Sequence, residues 1–143
     1  MLVAEAMNKN VETTQSDSTI REIARQMTNK RVGAIVITSK TGSIDGIVTE
    51  RDVMSDVVAA GLDPELTKAE DIMTREVITI DPAQNLEDAA DIMTTNKIKK
   101  LPVILQGKLV GIITASDLIA YEEKLVEKVA HLMSTTKVSG IGG

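Results

Sequence analysis

Two seven-residue stretches hold the residues whose types and spacing suit chemistry: Gly46-Ile47-Val48-Thr49-Glu50-Arg51-Asp52 and Gly111-Ile112-Ile113-Thr114-Ala115-Ser116-Asp117. Each follows an apolar, β-branched run and precedes a helical pattern, so each is expected where a strand gives way to a helix. A helix N-terminus presents unpaired backbone N–H groups and a partial positive charge, which suit a phosphate. An Asp one turn in can accept from both hydroxyls of a ribose, as the acidic residue of dinucleotide-binding folds does. The Thr hydroxyl can bond a sugar or phosphate oxygen, and Gly lets a backbone approach a ligand closely. Thr-x-x-Asp is equally the spacing of a capping box, with Thr as N-cap and Asp at the third helical position. The two readings are compatible, because a capping carboxylate keeps a second oxygen.

The elements that must position these turns come from a duplication. At an offset of 66, Met7 falls on Met73, Val11 on Val77, Thr13 on Thr79, Ala24 on Ala90, Met27 on Met93 and Thr28 on Thr94. One residue is dropped near Thr41, and at an offset of 65 Gly42 falls on Gly107, Gly46 on Gly111, Thr49 on Thr114 and Asp52 on Asp117. Self-similarity over such a span, with one single-residue gap, marks a repeat architecture.

Each copy reads as β-α-β-β-α, a mixed α/β unit. The short runs Val11 to Thr14 and Val77 to Ile80 are followed by turn-formers. A helix follows with Ile20, Ile23, Ala24 and Met27 on one face, matched by Leu86, Ala89, Ala90 and Met93. Thr19 with Glu22, and Asn85 with Asp88, stand at capping spacing. A hairpin joins Val32–Thr38 to Ile44–Val48, and Leu101–Leu105 to Leu109–Ile113. The closing helix is apolar at Val53, Met54, Val57 and Val58 and stops at Gly61; its counterpart starts near Ser116 and runs to Leu132. The expected division is residues 1–61 as first repeat, 62–70 as linker, 71–133 as second repeat and 134–143 as a mobile tail. A unit of roughly 60 residues is marginal alone, so the two should pack about a pseudo-two-fold axis.

Composition narrows the chemistry. The 143 residues include sixteen Lys and Arg against twenty-one Asp and Glu, a net charge of −5 that disfavours a nucleic-acid backbone. One Tyr, with neither Phe nor Trp, leaves no aromatic platform for stacking bases. There is no Cys, and no second His accompanies His131, so no metal is expected. No apolar run approaches the ~20 residues that span a bilayer. The start lacks the features of a signal peptide, and a cytoplasmic protein is expected.

The order of elements, the phrase Lys99-Lys100-Leu101-Pro102-Val103-Ile104 and both Gly-x-x-Thr-x-x-Asp turns resemble the CBS domain (cystathionine β-synthase domain), here in tandem as in a Bateman module. The resemblance covers about Val3 to Tyr121. It implies clefts between the repeats that bind adenosine-containing ligands: AMP, ADP, ATP, sometimes S-adenosylmethionine or NAD. It further implies that the motif Asp holds the ribose, the Thr or Ser contacts ribose or phosphate, and the other repeat's first strand and hairpin take the adenine. A first site would then combine Thr49, Arg51 and Asp52 with Val77, Ile78, Lys99, Lys100 and Pro102. A second would combine Thr114, Ser116 and Asp117 with Val11, Val32, Gly33 and Ala34. The resemblance also implies a homodimer meeting through helices, for which Val53, Val57 and Leu118 are the apolar candidates. The family's hairpin Pro is kept at Pro102 and is Val36 in the first copy, so the second pocket's adenine wall should differ.

Lys97-Ile98-Lys99-Lys100 is the densest positive stretch. It reads either as a solvated strand entry or as a phosphate contact on the first site, which would then prefer more highly phosphorylated ligands than a second site lacking such lysines. Three functions remain: a sensor that binds an adenine nucleotide and passes its state to a partner protein, a dimerising scaffold with degenerate clefts, and an enzyme. No acid–base pair, nucleophile constellation or metal set supports the last, so a non-enzyme is expected.

Overall fold

In the computed structural model the backbone is described for residues 1–137 and the side chains for residues 1–134. The first half runs α1 (Val3–Ala6), β1 (Thr13–Thr14), α2 (Ile20–Lys30), β2 (Ala34–Thr38), β3 (Ile44–Thr49) and α3 (Glu50–Asp52), which continues directly into a π-helical turn, Val53–Val58. The second runs α4 (Ala69–Ile72), α5 (Leu86–Asn96), β4 (Lys100–Leu105), β5 (Lys108–Thr114) and α6 (Ala115–Lys137). The architecture is mixed α/β, as the repeat pattern predicts. Among the described residues no helix is long and apolar enough to cross a membrane.

Local chemistry sets these boundaries. The Thr19 side chain accepts from the Glu22 N–H to start α2, and Asn85 accepts from the Asp88 N–H to start α5. Both helices end on a left-handed residue at equivalent positions, Arg31 at φ 55° and Lys97 at φ 54°. The N–H groups of these residues close back on the Met27 and Met93 carbonyls. The apolar faces Ile20, Ile23 and Met27, and Leu86, Ala89 and Met93, are buried against the sheets. In the first sheet β1 lies parallel to β2 and β3 antiparallel to it; in the second β4 pairs antiparallel with β5. The hairpins turn at Gly42, with φ 88°, and at Gln106-Gly107, with φ 52° and 78°.

The entry strand differs between halves. β1 forms a two-residue ladder with Val36 and Ile37, whereas in the second half Ile80 alone bridges to Val103. The expected four-residue strand at Val77 to Ile80 is therefore reduced to one residue. Its cause is Pro102, which has no N–H to donate, where its equivalent Val36 donates to the Glu12 carbonyl at 3.0 Å.

The two halves exchange their leading segments. α1 docks on the second half: Val3 N–H donates to the Gln84 carbonyl at 2.8 Å, and Asn8 and Ile112 exchange hydrogen bonds at 2.9 Å. α4 repeats this on the first half, with Ala69 N–H on the Ser18 carbonyl at 2.8 Å and a Thr74–Ile47 pair at 3.0 Å. Val3 is buried in the core of Ile80, Leu86, Met93, Leu101, Val103 and Ile113, while Ala69 and Met73 complete the core of Ile20, Ile23, Ile35, Ile37 and Val48. Each leading segment thus packs into the core of the other half rather than its own. Part of the segment expected to be a linker is bonded along the first half, Thr67 through its carbonyl and Ala69 and Glu70 through their N–H groups.

Two further departures concern helices. In the π-helical turn the Ala59 N–H reaches back five residues to the Met54 carbonyl, which rotates the apolar residues off one face. Val57 is wholly buried, while Met54 and Val58 are 63% and 71% exposed. Val57 is therefore a core residue and unavailable to a dimer contact. α6 continues through Lys137, four residues into the expected tail, and every residue from Glu122 to Ser134 is exposed, so this stretch projects from the body. The remainder of that tail, 138–143, lies outside the described residues.

Candidate functional site

Both Gly-x-x-Thr-x-x-Asp turns fold as reciprocal capping boxes. Thr49 N–H donates to Asp52 Oδ2 at 2.9 Å, and Asp52 N–H donates to Thr49 Oγ1 at 3.3 Å. Thr114 and Asp117 repeat the pair at 2.9 and 3.2 Å. Glu50 N–H is further tied to the Gly33 carbonyl at 3.0 Å and Ala115 N–H to the Lys99 carbonyl at 2.8 Å, so each turn is moored to the neighbouring hairpin strand. The cap commits one carboxylate oxygen of each Asp. Both Asp residues also line a cleft, which is what a ribose contact through the second oxygen requires.

The first cleft, of about 490 Å³, lies between the halves. It is lined by Thr49, Arg51 and Asp52 from one side and by Val77, Ile78, Lys99, Lys100 and Pro102 from the other, bringing together every residue assigned to the first site. It also takes in Lys97, from the basic stretch offered as a phosphate contact, and Glu50, Thr74 and Glu76, which sequence reasoning missed. Four cationic side chains (Arg51, Lys97, Lys99, Lys100) thus face three carboxylates (Glu50, Asp52, Glu76). The volume falls within the ~300–1,000 Å³ of ordinary small-molecule sites.

The second cleft is smaller, about 280 Å³. Thr114 and Asp117 meet Val11, Val32, Gly33 and Ala34 there, as assigned. Ser116 does not join them: it is exposed, rotated about 100° along the helix from Asp117. Arg51, at the same position of the first turn, reaches its cleft because its side chain is long. The second cleft is not free of cations either. Arg31 and Lys100 line it beside Glu12 and Asp117, which corrects the expectation that lysines serve the first cleft alone. The pairing of Arg31 with Lys97 at the 66-residue offset was the available signal.

The size difference follows from the entry strands. Glu12 is locked into the first sheet by the Val36 N–H, and its carboxylate accepts from Gln26 Nε2 at 3.1 Å. Ile78, its equivalent, faces Pro102 and gains no such bond, so the Val77-Ile78 backbone stands off the sheet and widens the first cleft.

The motif glycines serve packing, not the ligand. A Cβ on Gly46 would lie 2.8 Å from Met73 Cγ and Sδ and from the Thr74 carbonyl oxygen; one on Gly111 would lie 2.5 Å from Met7 Sδ and 3.1 Å from the Asn8 carbonyl oxygen. Both glycines admit the exchanged segments.

Comparison with known proteins agrees with this arrangement. The CBS domain family model matches residues 3–59 and 69–124. Protein MK0525 of Methanopyrus kandleri is 34% identical over 132 residues, 92% of this chain and 67% of that protein. The CBS domain-containing protein YhcV of Bacillus subtilis is 34% identical over 116 residues, 81% of each. Among solved structures, the CBS domain pair of protein MJ0100, in complex with 5-methylthioadenosine and S-adenosyl-L-methionine, superposes with a TM-score of 0.80 at 26% identity, covering 87% of this chain and 97% of that one.

Proposed function

The chain belongs to the CBS-domain family, as a tandem pair, and on that footing we propose that it is a non-catalytic regulatory module binding adenosine-containing ligands between its repeats. One observation carries the reading: each Thr–Asp capping box opens onto a cleft whose far wall is the other repeat's hairpin strand. A ribose would sit on Asp52 or Asp117 and a base against Val77-Ile78 or Val11. The adenosine compounds held by the MJ0100 pair support that ligand class. With its excess of cations, the first cleft suits AMP, ADP or ATP better than uncharged adenosine. The exposed Met54 and Val58, with Ile119 and Val126 of α6, support a homodimer through which the bound state passes to a partner protein.

A melting-temperature panel of AMP, ADP, ATP, S-adenosylmethionine, NAD and adenosine tests this. A ligand at about 100 times its Kd adds ~2.7 kcal/mol, which shifts Tm by several degrees. A folded protein that no member of the panel shifts at millimolar concentration sinks the reading and leaves a scaffold. Pro102→Val probes the first cleft alone. The restored N–H can reach the Ile78 carbonyl and close the entry strand onto the sheet, and affinity there is expected to fall roughly tenfold, the scale of one hydrogen bond. Isothermal titration reads this, and unchanged affinity would show that Pro102 does not shape the cleft.

A further inference from the structure

Lys100 stands where the two clefts meet. After the left-handed turns the halves diverge: Lys97-Ile98-Lys99-Lys100 in the second corresponds to Arg31-Val32-Gly33-Ala34 in the first. The second cleft therefore supplies only one cation of its own, Arg31. Gly33 has no side chain, and the space beside it is bounded by groups from both sides: a Cβ there would lie 3.2 Å from Glu50 Oε1 and 3.5 Å from Lys100 Nζ. Gly33 and Lys100 accordingly line both clefts.

We infer that Lys100 is one cation for which the two clefts compete, so that a phosphate-bearing ligand in the first weakens binding of a second anionic ligand in the other. The inference rests on the reading that both clefts take adenosine compounds. With Lys100 drawn to a phosphate in the first cleft, the second keeps Arg31 against Glu12 and Asp117, an excess of negative charge that repels phosphate. With the first cleft empty, Lys100 is available to the second and the charges balance. The effect is reciprocal, as any coupling between binding sites must be. Adenosine carries no phosphate and makes no demand on Lys100, so two adenosines bind without mutual interference. Gly33 makes the sharing possible, since a bulkier residue would wall off the second cleft from the lysine.

Isothermal titration with AMP and adenosine, on the full chain and on Asp52→Ala, which disables the first cleft, isolates the coupling. The second AMP to bind the parent protein is expected to bind at least about fivefold more weakly than AMP binds Asp52→Ala, the low end of ordinary coupling between sites. Adenosine should bind the second cleft equally in both proteins, which also shows that the cleft survives the substitution. Placed on both proteins, Lys100→Gln should abolish the AMP difference and Lys100→Arg should retain it. The coupling is overturned by an AMP difference that is absent, that persists with Lys100→Gln or that adenosine shares, and by failure of Asp52→Ala to bind either ligand. Failure of the parent protein to bind AMP and adenosine alike would overturn the functional reading itself, and the coupling with it.

Discussion

Gly46→Ala is expected to cost roughly 1–3 kcal/mol and to lower Tm by roughly 3–15 °C, although Gly46 lines neither of the two clefts. The new methyl would stand 2.8 Å from the Thr74 carbonyl oxygen, which accepts from the Ile47 N–H while the Thr74 N–H donates back to the Ile47 carbonyl, and equally close to Met73 of the first core. The Met73 thioether can swing aside, but the Thr74 carbonyl, as backbone, cannot yield without undocking α4. Gly111→Ala provides a graded comparison. Its closest neighbour is the thioether of Met7, which can rotate away, and the Asn8 carbonyl oxygen is 3.1 Å off, so a smaller loss is expected. Adding Met7→Ala to Gly111→Ala should recover part of that loss, whereas nothing comparable relieves Gly46→Ala. Thermal melts of the four proteins check the ranking. A Gly46→Ala protein melting within a degree of the parent would contradict the packing account.

Asp52→Ala and Asp117→Ala should separate the two roles of the capping carboxylates. Losing the cap alone costs about 0.5–2 kcal/mol of stability and does so in either variant. Losing the ribose contact removes hydrogen bonds to a charged acceptor worth about 1.5–3 kcal/mol, which is roughly a 10- to 150-fold loss of affinity at one cleft only. Asp52→Ala should thus silence the first cleft and Asp117→Ala the second, with similar falls in Tm. Asp→Asn variants keep an oxygen for the Thr N–H, so they should retain more of the stability while still weakening the ribose contact. Titration and melting together decide the matter. If both Asp→Ala variants lose stability but bind as the parent does, the carboxylates are caps and no more.

Much of this was legible because the sequence states it twice. A single-residue gap aligns the halves, so the capping boxes, the helix faces and the hairpins each had an internal witness, and Thr49–Asp52 and Thr114–Asp117 fall where the strand-to-helix pattern put them. What stayed hidden depends on distance along the chain. Nothing local to Val3 says that it packs among Ile80, Leu86 and Ile113, far along the chain, and the motif glycines read as ligand contacts because Met7 and Met73, which lie against them, belong to the exchanged segments. The π-helical turn was equally unreadable, since one inserted residue moves Met54 and Val58 into solvent while Val57 alone keeps the core. Lys100 looked like a resource of one cleft because its reach into the other depends on the missing side chain of Gly33. Pro102 was the exception. A departure between copies within the hairpin strand, it points to unequal clefts, and the lost N–H explains the difference.

The exchange of leading segments also sets an order of events during synthesis. The first core cannot be completed until Ala69 and Met73 have been made, and Val3, made well before either, must wait for the rest of the second core. That N-terminal segment stays undocked until β5 exists to receive it, and its partner strand ends only at Thr114. At about 5–20 residues per second the delay lasts several seconds, far longer than a small domain needs to collapse. The N-terminal half can therefore close only after α4 has been made, and the C-terminal half, the later of the two, only when β5 is there to receive α1.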